Sequence, residues 1–261
     1  MNRSVLLLLV MVTILVSGCM QPETEDELSR ARKAFINKEY TEAERFYQRY
    51  LRDYDNGTER WNVWNRLVEI TGTVRGNKDR AIELLDAMLL EFSGEPARYK
   101  QILISKGNIF GEVGRWGEAT TVWSQLLSAP EVTTEEEAQA YASLGKAYLM
   151  RGDYELAVDA FKDCRELELD NSEHQTLCIY ELAQAYVYLG NFFEAEQSLN
   201  NLLQYKGVET TLMARAKLLL ADIYEQQEKP LKAITLLEEI RNTYPNPRVV
   251  EFRLKNLQKE M

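Results

Sequence analysis

An alanine recurs at a fixed interval along this chain. Ala43, Ala81, Ala119, Ala157, Ala195 and Ala233 follow one another at steps of 38 residues without a slip. With Ala at roughly one position in ten, six in register arise by chance on the order of once in a million per frame. A chain that copies one short unit in this way must stack the copies, because a single unit cannot bury its own apolar face. Other slots keep step. Five residues before the alanine lie Gly76, Gly114, Gly152 and Gly190. Three before it lie Tyr40, Trp116, Tyr154 and Phe192, with Lys78 and Pro230 as exceptions. Four after it lie Tyr47, Leu85, Trp123, Phe161, Leu199 and Leu237.

These spacings describe two helices joined by a tight turn. Leu144, Gly145, Ala147 and Tyr148 form one helical stripe, Gly152-Asp153 punctuates it, and Tyr154, Ala157, Val158 and Phe161 form the next. The pattern Leu144, Gly145, Tyr148, Gly152, Tyr154, Ala157, Phe161 resembles the tetratricopeptide repeat. The resemblance implies an all-α, right-handed α-solenoid of about six helix pairs over residues 25–246. The last stretch, 247–261, carries Val250, Leu254 and Leu257 at helical spacing and reads as a capping helix, which a stacked array needs at its open end. The usual period of that family is 34, so the four extra residues predict longer helices or longer links. Asp55-Asn56-Gly57-Thr58, Ser93-Gly94-Glu95-Pro96 and Asp170-Asn171-Ser172 fit as links. Thr24 to Glu27 and Thr134 to Glu137 read as capping boxes at helix starts.

The N-terminus has another character. Arg3 precedes an apolar run from Val5 to Val16, then Ser17-Gly18-Cys19. The run is short for a membrane span of ~20 residues and fits a secretory signal. Leu15-Val16-Ser17-Gly18-Cys19 resembles the bacterial lipobox. That resemblance implies cleavage of residues 1–18, covalent lipid on Cys19 and no other cofactor. Residues 19–24 would form a tether reaching only ~20 Å, so the folded body would sit close to the bilayer. Met20 in place of Asp favours the outer membrane, periplasmic face, over retention at the inner membrane.

Composition removes several function classes. Lys and Arg number 31 against 41 Asp and Glu, a net charge of −10, and no basic excess exists to neutralise nucleic-acid phosphates. His174 is the one histidine, without Cys or carboxylate at ligand spacing, so no metal site is expected. The glycines at 107, 111, 114 and 117 follow no strand and precede no Lys-Ser/Thr pair, so they make no phosphate loop. No catalytic constellation is visible, and no small-molecule substrate is expected. Cys164 and Cys178 lie in consecutive helices, each seven residues from Asn171. A disulfide and a pair of buried thiols acting as apolar fillers are both open, with the unknown side-chain angles tilting towards fillers.

What remains is surface. In the family resembled, the first helices line a groove in which peptides or partner helices dock. Carried over slot by slot, that groove holds Arg66, Asn108, Lys146, Tyr180, Gln184, Tyr188 and Asp222, with Glu112 beside Trp116 as the nearest approach to a reactive group. The resemblance implies a non-catalytic adaptor for protein partners in cell-envelope assembly. Its plan is similar to tetratricopeptide-repeat lipoproteins of outer-membrane β-barrel assembly. Alternatives of the same plan are a pilotin-type lipoprotein for type IV pilus secretins and an adaptor for peptidoglycan hydrolases.

Overall fold

The computed structural model describes residues 24–167 and 173–260; the signal segment, Cys19 and the Asp170–Ser172 link lie outside them. Among the described residues there are 13 α-helices, one turn of π-helix and no strand. None of these helices is long and apolar enough to cross a membrane. They divide into two compact units, described residues 24–91 and 92–260.

The first unit holds α1 (Thr24–Ile36), α2 (Tyr40–Asp53), α3 (Arg60–Val68) continued by the π turn Glu69–Val74, and α4 (Lys78–Glu91). Its core packs Ala31, Ala43, Tyr47, Tyr50, Leu67, Ile70 and Leu84. The second unit holds α5 (Pro96–Glu112), α6 (Trp116–Leu127), α7 (Thr134–Arg151), α8 (Tyr154–Glu166), α9 (Glu173–Tyr188), α10 (Phe192–Leu202), α11 (Thr210–Gln226), α12 (Pro230–Ile240) and α13 (Pro247–Glu260). Each of its helices packs on its sequence neighbour, and α7–α9 and α9–α11 add contacts between successive first helices. This is an α-solenoid of helix pairs.

The second helices of the pairs begin at Tyr40, Lys78, Trp116, Tyr154, Phe192 and Pro230, again at steps of 38. Pro230 breaks the aromatic slot for a local reason. It sits in the first helical turn, where a missing N–H costs nothing and a fixed φ favours the helix. The turns within pairs are two or three residues long. The extra length therefore lies in first helices of 17 and 18 residues, as in α5 and α7, and in the links between pairs.

The turns share a left-handed residue. Lys38, Gly76, Gly114, Gly152, Gly190 and Glu228 all have positive φ, between 57° and 83°, on one 38-residue register. An L side chain in that region costs ~1–2 kcal/mol, partly offset by the greater unfolded-state entropy of glycine. Lys38→Gly and Glu228→Gly are each expected to stabilise their unit by about 0.5–1 kcal/mol. Urea titration followed by circular dichroism checks this, and Gly152→Ala should move the other way.

Two expectations shift. The capping box at α7 is formed by Thr133, not Thr134: Glu136 N donates to Thr133 Oγ1 at 3.2 Å, and Thr133 N to Glu136 Oε2 at 2.9 Å. Cys164 and Cys178 are disulfide-bonded, with 6.2 Å between Cα atoms, rather than buried fillers. Both are fully buried, and their side chains face each other across α8 and α9.

Unit one is pinned by a polar clamp. Arg60 reaches both oxygens of Glu91 at 2.6 Å and donates to the carbonyls of Leu51 and Tyr54, while Trp64 Nε1 donates to Glu91 at 2.9 Å. Burial pushes the Glu91 carboxyl up, but the hydrogen bonds from Arg60 and Trp64 more than offset it and hold it below the usual glutamate range.

Candidate functional site

The small and aromatic slots of the repeat shape the site. At Gly107 an added Cβ would lie 2.6 Å from the ring of Trp123, and at Gly145 it would lie 2.6 Å from Phe161. Each glycine lets an aromatic ring of the second helix press onto the backbone of the first. In unit two this leaves a depression of about 370 Å³ between α5 and α7, above α6. Its floor is Trp123 and Ala119, both buried. Asn108 and Glu112 of α5 and Ser143 and Lys146 of α7 form its rims, and Trp116 stands at one end.

Asn108 and Lys146, two residues expected from slot arithmetic, thus meet in one concavity. Both are exposed. Lys146 forms no ion pair among the described residues, although its charge acts on Glu181. Burial raises the Glu181 carboxyl above the usual glutamate range, against the attraction of Arg215 and Lys146. A free ammonium, an amide and an indole around an apolar floor can hold a peptide segment by charge, hydrogen bonding and stacking.

The other expected groove residues are placed elsewhere. Tyr188, 60% exposed, stacks on Tyr154 with ring centroids 5.0 Å apart and planes 5° from parallel. Gln184 is half-buried and donates from Nε2 to Tyr180 Oη at 3.2 Å. Tyr180 is a core residue, only 5% exposed, and burial raises its phenol pKa. The guanidinium of Arg215 from the next repeat covers its ring at 4.6 Å. Asp222 is engaged with Arg253 of α13, which also pairs with Glu225. Burial raises the Asp222 carboxyl even though Arg253 pulls against it. These two side chains serve packing and the terminal cap rather than an open groove. Arg66, in unit one, pairs with Glu69 at 2.6 Å and lies 4.7 Å over the ring of Phe35. Ser143 is not among the residues the slots single out; its signal is its place immediately before the Leu144-Gly145 slot pair of α7.

His174 Nδ1 lies 2.8 Å from Glu135 Oε1, bridging the starts of α9 and α7. Among the described residues no group of His, Cys, Asp and Glu is arranged to hold a metal.

Stacked helix pairs with a side-chain-lined depression define a helical-repeat scaffold of the kind used for protein–protein interaction. Residues 104–166 and 180–246 match the family model described as tetratricopeptide repeat. In those two stretches the chain carries tetratricopeptide repeats.

Solved structures agree on the fold. YrrB, described as a TPR protein with an unusual peptide-binding site, is 16% identical with a TM-score of 0.57, covering 81% of this chain and 97% of its own. The Pseudomonas aeruginosa protein pilF is 16% identical with a TM-score of 0.56, covering 91% and 97%. MamA is 19% identical with a TM-score of 0.53, covering 72% and 95%. No curated protein sequence matches the chain.

Proposed function

We propose that the chain is a non-catalytic, lipid-anchored adaptor on the periplasmic face of the outer membrane, which docks a protein partner of cell-envelope assembly in the groove of α5–α7. The observation that carries the docking reading is the convergence of Asn108, Lys146 and Trp116 over the Trp123 floor. A peptide-binding site described for YrrB, a protein of the same fold, supports it. The lipid anchor rests on the Leu15–Cys19 sequence. The Cys164–Cys178 disulfide supports an oxidising compartment, since such bonds persist in the periplasm and are rare in the cytosol.

A photo-crosslinking residue at position 108, used in intact cells, tests the docking reading. It should capture an envelope protein, and Lys146→Glu combined with Trp116→Ala, both at the groove, should cut the yield several-fold. An unchanged yield would move the interface away from this groove. Cys19→Ala should release the protein from membranes into the soluble fraction; full retention in the membrane fraction would remove the anchor.

A further inference from the structure

Repeat three carries a second and larger concavity, of about 960 Å³, on another face of α6. At 100° per residue, Thr121 and Ser128 lie about half a turn round the helix from Ala119 and Trp123, which floor the docking groove. The walls are the exposed face of α6 (Thr121, Ser124, Gln125), Tyr99 of α5, Tyr148 of α7 and Pro130 in the link that follows α6. The volume is at the upper end of the ~300–1,000 Å³ range of small-ligand clefts.

Its chemistry is unlike the rest of the surface. Charged residues make up 28% of the chain, yet none of the twelve residues lining this concavity is charged. Twelve residues drawn at the chain's own rate would be charge-free only about 2% of the time, and surface positions are richer in charge still. Eight of the twelve carry a hydroxyl, amide or phenol, and the other four are Gly, Ala and Pro. Each such group is both donor and acceptor. Among the described residues, the side chains of Tyr99, Ser124 and Gln125 make no hydrogen bond, so their capacity is available to a ligand. Tyr99 and Tyr148 add two aromatic faces, both half-buried and so held in place.

We infer that this concavity binds an uncharged oligosaccharide. Sugar hydroxyls are donors and acceptors at once, which matches groups of the same dual kind. The C–H faces of pyranose rings stack on tyrosine. One fixed charge borders the lining: Arg151 donates to Thr120 Oγ1 at 3.3 Å and lies 6.0 Å from the centre of the Tyr148 ring, but it is paired with Asp153 at 3.0 Å. A nucleotide, an acidic glycan or a lipid headgroup would require an unpaired charge, which neither the lining nor that ion pair supplies. This site is separate from the docking groove, and neither reading depends on the other.

The test uses the full chain in a zwitterionic, sugar-free detergent. Saturation-transfer NMR and calorimetry are run with four probes: cellotetraose, the β-1,4-linked tetramer of N-acetylglucosamine, tetragalacturonate and decaproline. One of the two neutral tetrasaccharides should bind and receive saturation from the tyrosine rings. Ser124→Glu, at an exposed position of α6, should weaken it by about tenfold or more by placing a desolvated charge in the site. Gln125→Ala should weaken it as well, while Lys146→Glu in the other groove should not. The inference is overturned if neither neutral sugar binds or if tetragalacturonate binds equally well. It is also overturned if decaproline alone occupies the site, or if both Ser124→Glu and Gln125→Ala leave sugar binding unchanged.

Discussion

Phe161→Ala is expected to destabilise unit two by about 4 kcal/mol, the upper part of the range for a large core aromatic. Phe161 is fully buried and its ring lies against the backbone of Gly145, so its removal leaves a void with rigid helix on one side. The complementary change, Gly145→Ala, is expected to cost about 2 kcal/mol by overpacking, since the new Cβ would lie 2.6 Å from the ring. The repeat itself names the rescue. One period on, the same two slots hold Ala183 and Leu199, and a further period on, Ala221 and Leu237, all buried in one cluster. Gly145→Ala with Phe161→Leu should therefore recover a large part of the summed loss. Denaturant unfolding of the four variants in a double-mutant cycle measures the coupling. Simple additivity would show that the pair is not matched.

Reduction of the Cys164–Cys178 bond is expected to cost about 3 kcal/mol, the chain-entropy value for a loop of some fifteen residues. The bond joins α8 to α9 across a link between repeats, so its loss should lower the unfolding midpoint of unit two and leave unit one unaffected. A variant with both cysteines changed to alanine should match the reduced protein and ignore reductant. Equal midpoints for the oxidised protein and that variant would deny the bond any stabilising role.

Much of the fold is legible in the sequence because its determinants are local. The alanine register fixes the start of every second helix, and the glycine slots mark the left-handed turns. What depends on neighbouring repeats is not legible. Thr133 and Thr134 each stand three residues before a glutamate, so both fit a capping box. The choice falls to Glu136, whose carboxylate is also held by Lys100 of the preceding repeat at 2.7 Å. Tyr180 occupies a groove slot by arithmetic, yet Arg215, one repeat further on, covers it. Asp222 is taken by Arg253, which belongs to the terminal helix and to no repeat. The π turn at Glu69–Val74, which buries Ile70, follows from no slot of the repeat. For the site, slot counting found Asn108 and Lys146, because both follow from the register of first helices. It missed that the link segments wall a second concavity, because links carry no register.

The shared carboxylate of Glu136 has a consequence for how the molecule is made. Lys100 is buried, and it contacts both that carboxylate and the carbonyl of Glu131. The N-terminal cap of α7 is therefore completed by a cation that leaves the ribosome some thirty residues earlier. At this junction the older segment carries a ready anchor for the helix start that is made after it.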